Sequence, residues 1–212
     1  GNCCKQSEFS ENIPKGISVI NDFISPTECK RFIRFAEKQK RAWLTVVDSK
    51  KTVGKNLYKR DPSRVTQTVN LGKKQEQAIQ WIRAACLEKL TKAEPQWFES
   101  PQLLRYEANG KYNLHSDAEH FDHETKQFYR FIDRDFSLLI YLNDNYEGGG
   151  ISFPWLNYTY QPKAGDLVFF PSNHIFSHES LPIVSGNKYA LVSWGAFKGT
   201  ARVNRPKGMI GL

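Results

Sequence analysis

The chain has 212 residues, of which 40% are hydrophobic and 13% aromatic. That suits one folded domain with a substantial core and excludes a disordered segment. No apolar run reaches the ~20 residues of a membrane-spanning helix, and no signal-peptide pattern opens the sequence. The net charge of +8 is unevenly placed: Lys30 to Lys92 carries 17 Lys/Arg against 5 Asp/Glu, so the remainder is net acidic. A basic half fits an acidic partner such as nucleic acid, an anionic membrane or an acidic protein segment. The plainer reading is a solvated lysine-rich face.

Residues 1–12 are polar and read as a flexible N-terminus. Gly1-Asn2-Cys3-Cys4 has the outline of an acylation site, which would bring a membrane into play, but Lys5 stands where that pattern wants Ser or Thr. Gly16 to Phe23 alternates apolar residues and predicts a strand. Ser25-Pro26-Thr27-Glu28 predicts a helix start, with a Ser cap, Pro at the first helical position and Glu three residues after the cap. Val46 to Arg64, basic and broken by Gly54 and Pro62, reads as a long loop or hairpin. Gln75 to Leu90 predicts a second helix with Ile79, Ile82, Cys86 and Leu90 on one face. The four cysteines match neither a zinc pattern nor a secreted disulfide framework. Cys29 and Cys86 fall on the two helices as buried thiols, which favours a reducing compartment and a cytoplasmic location.

After Pro101 the pattern changes. Gln102–Tyr106, Phe136–Asn143, Ile151–Pro154, Tyr158–Pro162, Asp166–Pro171 and Lys188–Phe197 are short β-branched or aromatic runs. Turn residues separate them, among them Asn109-Gly110, Gly148-Gly149-Gly150 and Ser185-Gly186-Asn187. Many short strands with tight turns predict a sandwich or jelly roll. Helices followed by strands give an α+β class, with the helices packed on one sheet. The expected layout is a single domain over 13–212, with helical support over about 13–97 and a jelly-roll core over about 98–200.

Two stretches carry the chemistry, RYEANGKYNLHSD (Arg105 to Asp117) and QPKAGDLVFFPSNHIFSHESLPIVSGNKYALVSW (Gln161 to Trp194). Two imidazoles and one carboxylate on one face of an octahedral ion leave three positions open, as Fe(II) needs when it must also take a co-substrate and O2. A His-x-Asp pair supplies two ligands because one intervening residue lets both side chains converge at a strand end. The candidates are His115/Asp117 and His120/Asp122. The first follows a strand and a turn and so enters the sheet, whereas the second lies in a charged stretch, Ala118 to Asp135, that reads as a loop or lid. For the third ligand His178 fits better than His174. A turn at Ser185 to Asn187 is expected to lay the Lys188 strand antiparallel beside His178, pointing the Lys188 ammonium inward to hold a carboxylate.

These residues resemble the 2-oxoglutarate- and Fe(II)-dependent dioxygenase superfamily, specifically its prolyl 4-hydroxylase branch. The resemblance rests on five motifs in order: Arg105–Asp117, LLIYLND (Leu138–Asp144), EGGGISF (Glu147–Phe153), AGDLVFFPS (Ala164–Ser172) and His178–Trp194. VINDFISPTEC (Val19–Cys29) resembles the segment that opens the family's helical support. Gly150 departs from the pattern, standing where many members have Glu. The resemblance implies a double-stranded β-helix (jelly roll). It implies His115, Asp117 and His178 as iron ligands, Lys188 and Tyr141 on the far carboxylate of 2-oxoglutarate, and Tyr106 and Trp194 lining the pocket. It also implies hydroxylation coupled to conversion of 2-oxoglutarate and O2 to succinate and CO2, a proline-containing peptide or protein as substrate, and L-ascorbate as reductant. Val46–Arg64 and Ala118–Asp135 are the candidate loops that close over that substrate. A nucleic-acid demethylase of the same superfamily is the rival enzyme, disfavoured because it has arginines where Lys188 and Trp194 stand. A non-catalytic jelly-roll module that binds a metal or ligand is the rival from another class, and a lipid-anchored adaptor rests on Gly1 to Cys4 alone.

Overall fold

The computed structural model describes residues 12–44, 46–47, 58–59, 61–90, 95–199 and 202–212. The acylation candidates Gly1, Cys3 and Cys4 lie outside the described residues, as do residues 48–57 of the basic loop. The flanks of that loop do pair as a hairpin, Val46–Val47 against Tyr58–Lys59.

The described residues form two main antiparallel sheets. The larger, of nine strands, runs Ser18–Ile20, Leu167–Pro171, Phe136–Tyr141, Lys188–Phe197, Gln102–Tyr106, Gln67–Val69 and Arg41–Trp43, with Pro95–Glu99 and Met209–Gly211 added at one end of the central strand. The smaller, of five strands, runs Tyr158–Tyr160, Ile151–Phe153, His178–Ser180, Lys111–His115 and Arg64–Val65. This is the expected jelly roll, the double-stranded β-helix. The N-terminal region also supplies strands, since Ser18–Ile20 and Arg41–Trp43 close the two ends of the larger sheet.

The central strand, KYALVSWGAF, is buried for nine of its ten residues. Its near-continuous apolar run is what a strand covered on both faces requires. Because side chains alternate between faces, Tyr189 and Leu191 join the helix-side core, whereas Ala190 joins one inter-sheet cluster and Val192 and Trp194 another.

Two helices cover the outer face of the larger sheet. Helix α1 (Pro26–Ala36) starts as the sequence predicts: the Ser25 hydroxyl accepts from the Glu28 amide at 3.3 Å and Pro26 fills the first turn. It buries Cys29, Phe32 and Ala36. Helix α2 (Gln75–Lys89) buries Ala78, Trp81, Ile82, Ala85 and Cys86. Its buried face is therefore rotated from the expected Ile79/Ile82/Cys86/Leu90 stripe. Trp81 takes the centre by packing on Phe32 at 5.1 Å between ring centroids, and Ile79 and Leu90 fall to the margin. Burial pushes the Cys29 and Cys86 thiols up to about 11 and about 12, so both remain unreactive.

Two further expectations fail. The Lys188 strand does not lie beside His178: it pairs with Gln102–Tyr106 and Phe136–Tyr141 in the larger sheet, while His178–Ser180 belongs to the smaller one. The turn at Ser185–Asn187 thus crosses between sheets, and Ile183–Ser185 pairs instead with Glu147–Gly148. Nor is Ala118–Asp135 a plain loop. Glu119–Asp122 and Gln127–Arg130 form a hairpin in which Phe121 faces Phe128 and His120 faces Tyr129. Cross-strand aromatic pairs stabilise such a ribbon, and Lys126, at φ 59°, makes the left-handed turn.

Gly195 faces Phe136 across the sheet, and a Cβ there would stand 2.2 Å from the Phe136 ring. Gly195→Ala is expected to destabilise the fold by about 1–3 kcal/mol through overpacking, seen as a lowered midpoint in thermal denaturation. An unchanged midpoint would contradict this packing.

Candidate functional site

Strand register brings the distant residues together. His178 lies directly opposite His115 on neighbouring strands of the smaller sheet, and Asp117 follows two residues after His115. The ligand atoms of His115, Asp117 and His178 all lie within 4.8 Å of one another. His115 Nε2 stands 3.3 Å and His178 Nε2 3.6 Å from the same carboxylate oxygen, Asp117 Oδ1.

The outer atoms of this trio are already engaged. His115 Nδ1 donates to the Asn113 carbonyl at 2.7 Å and His178 Nδ1 to the Phe176 carbonyl at 2.9 Å. Those bonds select the tautomer whose Nε2 carries a lone pair. Asp117 Oδ2 accepts from the Ser137 hydroxyl at 2.6 Å, and Ser137 is backed by Ser172 at 2.8 Å. Two lone pairs and an anionic oxygen therefore face one space. Burial lowers His178 to about 4, so it does not relieve the repulsion by protonating at neutral pH. Burial alone would raise Asp117, but the two histidines, in their protonated forms, and the Ser137 hydroxyl draw the carboxyl well below its usual range. A divalent cation fits this donor set, and three ligands on one side leave the rest of an octahedron open. The His115 ring is fixed by stacking on Tyr112 at 3.6 Å, whose ring also lies under the Arg64 guanidinium at 4.4 Å.

The trio opens into a cavity between the sheets, lined among others by Tyr106, Tyr141, Lys188 and Trp194. Lys188 enters from the larger sheet. Its Nζ donates to Ser180 Oγ at 2.7 Å and to the Gly149 carbonyl at 2.9 Å, and lies 4.2 Å from the Tyr106 ring centroid. Ser180 is two residues beyond His178, so the ammonium is bonded to the strand that carries the third cluster residue. Burial raises the phenols of Tyr106 and Tyr141, keeping both as hydroxyl donors.

All seven residues singled out in the sequence thus line one cavity. The alternatives sit outside it: His174 stacks on Phe128 at 3.9 Å and pairs with Glu119 at 3.3 Å, and His120 stacks on Phe131 at 3.8 Å. Sequence reasoning missed Arg64 and Tyr112, which line the same cavity. It also missed the buried pair Glu99–Arg134. Arg134 bonds both Glu99 oxygens at 2.6 and 2.7 Å, donates to the Asp117 carbonyl at 3.1 Å, and lies 3.9 Å over Trp194. No local pattern marks Arg64, Glu99 and Arg134, whose partners lie far away in sequence, and Tyr112 reaches the site by stacking on His115 in the same strand.

Comparison with known proteins matches this geometry. The profile of the 2OG-Fe(II) oxygenase superfamily matches residues 101–195. A putative prolyl 4-hydroxylase of Acanthamoeba polyphaga mimivirus is 31% identical over 190 residues, covering 83% of this chain and 72% of the relative. The chain belongs to the 2OG-Fe(II) oxygenase superfamily. It is a prolyl 4-hydroxylase-like 2-oxoglutarate-dependent dioxygenase, and the family and the His-Asp-His cluster imply Fe(II) and 2-oxoglutarate. Probable prolyl 4-hydroxylase 7 of Arabidopsis thaliana is 26% identical over 204 residues, 84% of this chain and 61% of that protein. The oxygenase shares its fold with the viral collagen prolyl hydroxylase of Paramecium Bursaria Chlorella virus-1, at TM-score 0.59 and 22% identity, covering 86% of this chain and 97% of that one. It also shares it with a Trichoplax adhaerens prolyl hydroxylase solved with a hypoxia inducible factor peptide, at TM-score 0.62 and 18% identity, covering 85% and 83%.

The hydrogen bonds behind the cluster set its affinity. Ser137→Ala frees Asp117 Oδ2 and is expected to weaken Fe(II) or Mn(II) binding about 10–100-fold in anaerobic calorimetric titration. His178→Ala should abolish that binding while His174→Ala retains it; the reverse pattern would exchange the roles of the two histidines.

Proposed function

We propose that this oxygenase hydroxylates prolyl residues of a peptide or protein at the 4-position, converting 2-oxoglutarate and O2 to succinate and CO2, with L-ascorbate as reductant of the iron. The observation that carries the reading is the Lys188–Ser180 contact across the cavity. It sets a cationic anchor in the same cavity as the His115/Asp117/His178 cluster, as a dicarboxylate bridging the two needs. The proline target is supported by the mimivirus and Arabidopsis relatives, which are named as prolyl 4-hydroxylases.

In this reading His115, Asp117 and His178 hold the iron. Lys188 and the Tyr141 hydroxyl hold the far carboxylate of 2-oxoglutarate, and Tyr106 and Trp194 wall the pocket. Iron and 2-oxoglutarate, when bound, supply an oxidant that replaces an unactivated C–H by C–OH, one oxygen of O2 entering the hydroxyl and the other succinate. The protein's part is to fix both groups and exclude water from the space between the sheets. The apolar walls, Leu104, Leu139, Ile151 and Val192, do the second.

Lys188 gives the pH dependence. Burial lowers its ammonium to about 7, and among the described residues no carboxylate is bonded to it. Below that pH the ammonium is ready to pair with the dicarboxylate. Above it the amine must first take up a proton, so 2-oxoglutarate affinity should fall roughly tenfold per pH unit over about pH 7 to 9. Lys188→Met should bind weakly and lose the slope. Calorimetric titration with 2-oxoglutarate across that range measures both, and a flat wild-type profile would remove Lys188 as the anchor.

The reaction itself is tested by incubating the protein with Fe(II), ascorbate and 2-oxoglutarate and measuring succinate with proline-rich peptides or methylated oligonucleotides. Peptide-stimulated succinate, lost in His115→Ala and Asp117→Ala, is the expected result. Stimulation by oligonucleotides alone would redirect the substrate to nucleic acid.

A further inference from the structure

The cations of the basic half take no part in the chemistry just described, and folding gathers them on one face. Lys30, Arg31 and Arg34 lie on α1, and Lys38, Lys40 and Arg41 follow in the turn and strand after it; all six are exposed. The Lys40 carbonyl takes the Asn70 amide at 2.9 Å and Arg41 pairs with Val69. That pairing brings up Lys73, also exposed, whose Nζ lies 5.9 Å from the centre of the Phe35 ring on α1. A Cβ at the neighbouring Gly72 would stand 3.4 Å from both Phe35 and Gln39. Segments on either side of the basic loop thus form one continuous surface.

The surface is dominated by one sign. Among the described residues none of these seven cations is held in an ion pair, whereas Arg105, Arg130 and Arg134 each hold a carboxylate. The acids on the same stretch are Glu28, Glu37 and Glu76; Glu28 accepts from the Ser25 hydroxyl and Glu76 from the Gln80 amide. A face that is merely solvated interleaves both signs, and an excess of one sign marks a surface that steers a partner. The helices cover the outer side of the larger sheet, so this face looks away from the cavity between the sheets. A partner held on it leaves the cavity free.

We infer that this face docks on the anionic surface of a membrane. Acidic headgroups attract any Lys or Arg within a Debye length, with no demand on shape. Seven cations on one face suffice for such recognition. No described helix is long and apolar enough to cross a bilayer, so the contact is with headgroups. Nucleic acid, the other polyanion, asks for more, because single strands stack their bases on exposed rings set among the cations. The exposed aromatic side chains among the described residues, Phe121, Tyr129 and Trp155, all lie off the helical layer. The acylation outline around Cys3 and Cys4 agrees in chemistry, because a single acyl chain anchors only reversibly and needs a second signal such as a basic patch.

The test sediments the full chain, without acyl groups, with vesicles of phosphatidylcholine containing phosphatidylserine and with vesicles of phosphatidylcholine alone. The protein should partition onto the first and not the second, and raised salt should release it. Lys38→Gln, Lys40→Gln and Lys73→Gln, each keeping the wild-type melting midpoint, should each lower the partition about fivefold, the equivalent of about 1 kcal/mol per charge. Lys126→Gln makes the same change of charge at the exposed turn of the Glu119–Arg130 hairpin and should leave the partition as it is. No binding to the phosphatidylserine vesicles at low salt overturns the inference, as does equal binding to phosphatidylcholine alone. Equal loss from all four substitutions also overturns it, by reducing the effect to net charge. Tighter binding of a single- or double-stranded oligonucleotide through the same three lysines overturns it by assigning the face to nucleic acid. The hydroxylase reading stands under each of these results, since succinate formation is measured without vesicles.

Discussion

The structure depends on a repulsion that the fold enforces and only a cation relieves. Two imidazole lone pairs and one carboxylate oxygen are turned into a single space, because their outer atoms are committed to the Asn113 and Phe176 carbonyls and the Ser137 hydroxyl. Cross-strand pairing of His115 with His178 makes the convergence a property of the sheet register. A one-residue slip would turn one imidazole to the opposite face. The buried Arg134–Glu99 pair ties the Asp117 backbone to the larger sheet, so both sheets hold the cluster.

The second constraint is a buried cation with no carboxylate partner among the described residues. Lys188 is 2% exposed and its contacts are a carbonyl, a hydroxyl and an aromatic face. A buried charge without a counter-ion is costly, and the drop in its proton affinity is the expression of that cost. In the function we propose, a dicarboxylate spanning the iron and Lys188 would settle both charge problems at once. Lys188 and His178 come from different sheets, so the distance between them is set by sheet-to-sheet packing. The aliphatic and aromatic side chains between the sheets thus govern the reach of the site as well as its stability.

The division of labour along the central strand explains how one segment serves fold and chemistry together. Tyr189 and Leu191 seal the helices to the sheet, while Lys188 and Trp194 face the cavity.

Much of this was legible in the linear chain. The Ser25–Glu28 helix start, most of the core strands, the choice of His115/Asp117 over His120/Asp122 and of His178 over His174 all follow from local pattern, since capping, alternation and turn chemistry act over a few residues. Tertiary structure alone decided the rest. Trp81, not the Ile79–Leu90 stripe, centres α2: both stripes have helical spacing, and the fit against Phe32 selects the one that holds Trp81. Ala118–Asp135 became a hairpin because its aromatic pairs form only when the ribbon closes. Lys188 reached the cavity from the opposite sheet instead of from a strand beside His178, and Arg64, Glu99 and Arg134 joined the site through neighbours far away in sequence. The chain by itself determined which residue types meet at the site, because ligand chemistry and strand alternation are local. Which strands stand side by side, and so what surrounds the ligands, is a matter of long-range pairing that no local pattern encodes.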